Sequence, residues 1–111
     1  MSNDEANKVR VTVGAGGAVS CNPDPVPARG KNVHIKFDLV TAGYVFADTD
    51  AIVVSNPGTQ FPEPSKTKNG GSTATILDKN TERGQFKYTV RLKDSATGRL
   101  IEFDPTINNE D

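Results

Sequence analysis

The chain has no tryptophan, one histidine, one cysteine and one methionine, and each scarcity excludes a class of chemistry. Cys21 stands alone, so no intramolecular disulfide can form, which agrees with a reducing compartment. With His34 as the sole imidazole, no Ser, Thr or Cys nucleophile comes with an assignable base, and an enzyme is not expected. The formal charge is -1, without the basic excess of a protein that wraps nucleic acid or docks on anionic lipid. No apolar run approaches the length of a membrane-spanning helix. The opening residues Met1 to Lys8 are polar with no apolar stretch behind them, so no signal peptide is visible. The expectation is a cytoplasmic protein that binds no nucleic acid, membrane or cofactor.

What the chain does contain is alternation. Only 34% of its residues are apolar, so β-branched Val and Ile must supply much of one economical core. Phe86, Tyr88, Val90 and Leu92 alternate with Lys87, Thr89, Arg91 and Lys93, the pattern of a half-buried strand. Ser95-Ala96-Thr97-Gly98 reverses direction, and Leu100 to Ile107 returns as its partner. With Asp94 opposite Arg99, the pairs are Leu92 with Ile101, Val90 with Phe103, Tyr88 with Pro105 and Phe86 with Ile107. The other face then sets Arg91 opposite Glu102 and Thr89 opposite Asp104. A slip of one residue would bury charge, so this register specifies itself.

Elsewhere, Val9, Val11 and Val13 mark a first strand. The Gly14-Ala15-Gly16-Gly17-Ala18-Val19 run that follows imitates a dinucleotide-binding turn. Val19 replaces its third small residue, and prolines 23, 25 and 27 forbid the helix that should come next. A glycine-rich turn or bulge is expected instead. Ala18 to Cys21 reads as a short strand with Cys21 inside, and the prolines as extended chain at a sheet edge. Their spacing lacks the P-x-x-P pattern of a ligand for proline-binding domains. Val33, Ile35, Phe37 and Leu39 define another strand, with Phe37 as a core anchor, and Tyr44 to Phe46 a short one. Ala51 to Val54 reads as buried on both faces, and Ser72 to Asp78 as a strand. From Ser55 to Gly71 periodicity fails amid prolines and glycines, which predicts the longest irregular loop, with Phe61 either tucked onto the sandwich or marking a contact surface.

The fold class expected is all-β: a two-sheet antiparallel β-sandwich of roughly seven or eight strands with no substantial helix. A small closed barrel is the alternative. Residues 1–7 are expected to be a frayed tail, and 8–111 a single β-sandwich domain.

Candidate sites are few. His34 falls on the outward face of its strand, with Asp38 two pleats along, and serves as a metal or catalytic group only if other carboxylates reach it. Asp48 and Asp50 resemble a metal motif but lack a third acidic ligand at calcium-loop spacing, so a turn with side chains capping free amides is expected. Glu63 and Asp104 each precede a proline, and paired carboxylates do acid and base work only when held close together. The aromatics of Arg83-Gly84-Gln85-Phe86-Lys87-Tyr88 look like an RNA-stacking platform, but they share their face with Val90 and Leu92 and belong to the core.

Phe61-Pro62-Glu63-Pro64 and Glu102-Phe103-Asp104-Pro105-Thr106-Ile107 resemble the small bacterial DP-EP family, named for such dipeptides. The resemblance implies a cupredoxin-like β-sandwich of unestablished function, in which Glu63, Pro64, Asp104 and Pro105 are motif positions without a known role. A blue-copper centre takes two His and a Cys thiolate, commonly with an axial Met. One His, one Cys and Met1 do not supply it, so no copper site is expected and the frame serves another purpose.

These readings converge on a small non-enzymatic binding or structural module that contacts a protein partner, or its own copies, through an edge strand or the 55–71 loop with Phe61 and Pro62. The alternative is a small-molecule or metal-binding protein using the carboxylates of the 48–64 region, Asp104 and His34.

Overall fold

The computed structural model describes residues 7–22, 24–56 and 58–110. Eleven strands form along them: β1 (Lys8–Val13), β2 (Val19–Asn22), β3 (Val26–Arg29), β4 (Val33–Leu39), β5 (Tyr44–Phe46), β6 (Ile52–Val54), β7 (Lys66–Lys68), β8 (Thr73–Asp78), β9 (Gly84–Asp94), β10 (Leu100–Phe103) and β11 (Thr106–Glu110). They make a five-stranded sheet in the order β2-β1-β4-β8-β7 and a six-stranded sheet built on β9. The two sheets pack as a sandwich. No helix among the described residues is long and apolar enough to cross a membrane.

β9 is the long strand with alternating side chains, and it is paired along both edges. On one side it takes β10 and β11, in the register the side-chain pattern dictates: Ile101 with Leu92, Glu102 with Arg91, Phe103 with Val90 and Ile107 with Phe86. On the other side it takes β5 and β6. Tyr88, Val90 and Leu92 are consequently buried, and Phe86 is half-buried. Facing them from the other sheet are Val9 and Val11 of β1, Ile35 and Phe37 of β4, and Ala74 and Ile76 of β8, all in one core cluster. Phe37 meets the Tyr88 ring at a centroid distance of 5.4 Å, tilted by 58°, an arrangement that aromatic quadrupoles favour.

Four expectations are corrected. The strands number eleven because the extended proline segment pairs as β3, Lys66–Lys68 pairs as β7 inside the stretch expected to be irregular, and the return strand is split. Asp104-Pro105 divides it into β10 and β11, since Pro105 has no amide to continue the ladder and offers only its carbonyl, to the Tyr88 amide at 3.0 Å. The sheets are mixed, with β1 parallel to β4 and β11 parallel to β3. The chain leaves the first sheet after β2, crosses to the second as β3, and returns as β4 beside β1. Antiparallel order is imposed only where a tight turn joins neighbours. Third, Val53 is 42% exposed, because strand alternation turns it outward between buried Ile52 and the β9 ladder. Finally, Asn7 is no tail residue. Its side chain exchanges hydrogen bonds with the Arg29 backbone (3.0 and 3.3 Å) and its carbonyl accepts from the Lys36 amide at 2.9 Å, tying one sheet to the other. Residues 1–6 lie outside the described residues.

The Gly14 run forms a 3-10 turn with Gly16 at φ 75°, a β1–β2 connection and not a nucleotide cradle. Of the prolines expected at an edge, Pro27 lies in β3, the outer strand of its sheet, where a missing amide is tolerated, Pro25 precedes that strand, and Pro23 lies outside the described residues; Cys21 is buried in β2.

Because Phe37 is wholly buried between the sheets, Phe37→Ala is expected to lower the unfolding free energy by about 3–5 kcal/mol. Val53→Ala, on the exposed face, is expected to change it by less than about 1 kcal/mol. Urea denaturation of both variants checks this packing, and similar losses at the two sites would refute it.

Candidate functional site

The stretch predicted as irregular, 55–71, is held at three points. Gln60 is 1% exposed and works as a clamp. Its side-chain oxygen accepts from the Thr81 and Glu82 amides (2.8 and 3.2 Å), its amide group donates to the Thr81 hydroxyl at 2.8 Å, and its carbonyl accepts from the Lys79 amide at 2.8 Å. Phe61 tucks onto the sandwich, edge-on to Phe86 with centroids 5.1 Å apart. The Ser65 hydroxyl then accepts from the Ile52 amide at 3.2 Å, an edge donor of β6 that β9 does not use. Past Ser65 the chain pairs with β8 as β7, Lys66 opposite Thr75 and Lys68 opposite Thr73. The turn into β8 needs glycine at Gly71, where φ is 95° and a Cβ would lie 2.9 Å from the Val45 Cβ.

Between β6 and this segment lies a cleft of about 250 Å³. Ile52, Val54, Phe61 and Ile76 supply its apolar lining, the exposed pair Pro62 and Pro64 stiffens its wall, and Asp50 and Glu63 are its two carboxylates. Asp50 sits in the left-handed region at φ 53°.

The other predicted positions do not join them. Asp104 lies exposed on the outward face of the six-stranded sheet, accepting from the Thr89 hydroxyl at 2.7 Å, while its neighbour Pro105 is buried. Asp48 lies 3.5 Å from the Lys93 ammonium, and no hydrogen bond to a free amide is formed by either Asp48 or Asp50, so the expected capping is corrected among the described residues. In the place of caps, the Arg91 guanidinium donates to the Thr49 and Asp50 carbonyls at 3.2 and 3.4 Å. His34 is exposed on β4, and Asp38 on the same face accepts from the Thr73 hydroxyl at 3.3 Å. Among the described residues no three His, Cys, Asp or Glu side chains gather as a metal site. Of the predicted carboxylates, the fold therefore brings together Asp50 and Glu63 alone.

Sequence reasoning missed a buried polar layer. Asp78, Asn80, Gln60 and Asn109 are all at most 2% exposed. Asn80 donates to the Ala28 and Gly30 carbonyls at 3.0 and 2.7 Å, and Asn109 to the Glu82 carbonyl at 3.0 Å. Asp78 accepts from the Asn80 amide at 2.9 Å. Burial pushes the Asp78 carboxyl up to about 6, against the opposing pull of the Asn80 amide and the Asn109 side chain. Burial, helped by the Asp24 charge, likewise pushes the Cys21 thiol up to about 12 and removes it as a nucleophile at neutral pH. The only sequence signal for the layer is that Asp78 continues the inward alternation of Ala74 and Ile76.

Comparison with protein-family models finds no match, and comparison with curated proteins finds none. The site has to be interpreted from its own geometry.

The raised carboxyl of Asp78 has a defined consequence. The folded chain holds this proton up to about pH 6, where the unfolded chain has already released it, so its ionisation costs stability as pH rises from about 4 to about 6. Asp78→Asn is expected to gain on the wild type across that window when unfolding free energies are compared at each pH. A difference that stays constant with pH would refute the assignment.

Proposed function

We propose that this protein is a small non-enzymatic binding module that engages a protein partner through the segment 61–68, on a cupredoxin-like frame. One observation carries the reading. Within the long Pro- and Gly-rich stretch, Lys66–Lys68 is an edge strand that among the described residues pairs only with β8, and all three of its side chains are exposed. Gln60, Phe61 and Ser65 fix the approach to this edge, so little ordering entropy opposes docking on it, and an open strand edge is a recurrent way to take up a partner chain. A cytoplasmic location fits the lone, buried Cys21.

The likeness to the DP-EP family stands as part of the same proposal. Glu63-Pro64 walls the cleft and Asp104-Pro105 ends β10, so in this reading the two dipeptides shape the chain. A blue-copper role is not part of it. The donor set does not fit, because the sole histidine, His34, points outward from β4 while Cys21 is buried in β2.

A photo-crosslinking residue at Thr67 tests the docking reading in cells, with Ser95 in the β9–β10 turn as the control. Adducts at position 67 and none at 95 are expected. Adducts at neither position, or equally at both, would overturn it.

The cleft favours a second reading, a small cationic ligand held by Asp50 and Glu63 over an apolar floor. Titration with calcium and with a small alkylamine, followed by amide NMR, is expected to shift resonances around the cleft in the wild type and not in Asp50→Asn/Glu63→Gln. Absence of shifts with both probes removes this reading.

A further inference from the structure

The overall charge of -1 conceals a strong segregation. On the outward face of the five-stranded sheet, register places Lys8 beside Lys36, Lys36 beside Thr75, and Thr75 beside Lys66. The adjacent row runs Arg10, Asp38, Thr73 and Lys68. These rows hold five cations and the single carboxylate of Asp38. Among the described residues none of the five is in an ion pair. The opposite face of the sandwich behaves differently: Arg91 pairs with Glu102 at 3.3 Å and Lys93 with Asp48 at 3.5 Å. Lys8 and Lys36 are like charges on neighbouring strands, which costs stability, and with Asp38 the single carboxylate in the two rows the face keeps a positive field that a bound anion would neutralise.

β7 ends these rows, and among the described residues no strand pairs with its outer edge. A strand added there would extend both rows by one column. Since side chains alternate between faces, the residues of that strand lying beside Lys66 and Lys68 would be two apart in sequence. The same lysines discriminate against the wrong guest. A second copy presenting its own β7 would set Lys66 and Lys68 against like charges, the device by which natural edges avoid pairing with themselves. The face carries no aromatic side chain in these rows on which nucleic-acid bases would stack.

We propose that the β7 edge captures, by strand addition, an extended protein segment bearing acidic side chains at alternate positions. This deepens the docking reading above and rests on it.

The test uses the full chain and three short synthetic peptides: glutamate alternating with threonine, the same composition with the glutamates in one block, and glutamine replacing glutamate. Affinity is read by fluorescence anisotropy and location by amide NMR. The alternating acidic peptide is expected to bind about tenfold more tightly than the other two, the scale of two exposed charge pairs, with shifts centred on β7. Lys66→Glu/Lys68→Glu is expected to lose this preference and to prefer a fourth peptide, lysine alternating with threonine. Lys66→Gln/Lys68→Gln, which places no new charge on the edge, is expected to lose it without the reversal. If the glutamine peptide binds β7 as tightly, edge docking survives and the acidic partner is overturned. If the block peptide binds as tightly, or shifts fall away from β7, strand addition is overturned. If no peptide binds and Thr67 forms no crosslinks, both readings fall.

Discussion

Burial of one face of β9 while both its edges are hydrogen-bonded is the constraint on which the structure depends. Tyr88, Val90 and Leu92 are fully buried, so this strand has to lie against the Ile35 and Phe37 side of the other sheet. Its edges are also covered along its length, which satisfies backbone groups that would otherwise be left unpaired in the middle of the sheet. β10 and β11 cover one edge. The short β5 and β6 cover the other, and their placement brings the chain to Ile52, whose spare edge donor then fixes Ser65 and with it the start of β7.

The segment 55–71 is ordered by contacts that reach it from outside. Gln60 joins it to the β8–β9 connection, Phe61 to the core beside Phe86, and Ser65 to β6. The result is an edge strand whose position is set by the core although none of its side chains enters the core. That separation suits a docking element. Its exposed side chains are free to be selected for a partner, while its geometry is inherited from buried neighbours.

At one end of the sandwich the buried layer of Asp78, Asn80, Gln60 and Asn109 replaces apolar packing with directional contacts. The hydrogen bonds there tie connections to strands and to one another: Asn80 holds Ala28 of β3 and Gly30 beyond it, and Gln60 holds Thr81 and Glu82 of the β8–β9 connection. Partners so specific favour a single arrangement of the connections over many of equal burial. The cost is a carboxyl, Asp78, whose ionisation is opposed by its surroundings.

The register of β9 with β10 and β11 was legible in the sequence, down to Arg91 opposite Glu102 and Thr89 facing Asp104, because period-two alternation leaves a pairing no freedom once one face is buried. The inward Cys21, the outward His34 and the edge place of Pro27 were legible because each depends on local alternation or on the chemistry of one residue, whereas for Phe61 the sequence left tucking and surface contact both open. Strand direction, the number of strands, and the meeting of Asp50 with Glu63 in one cleft were not legible. They depend on which sheet each strand joins, a choice made between residues far apart in the chain. β7 is the clearest case. Lys66-Thr67-Lys68 has no apolar residue to announce a strand, and it becomes one only because β8 offers an open ladder and Ser65 delivers the chain to it. The sequence by itself determined which face of each alternating apolar strand is buried, since that follows from side-chain apolarity, while the outward Val53 and the buried polar layer escaped it. The tertiary structure alone decided which edges and charges are left exposed together, since those are set by neighbours in space.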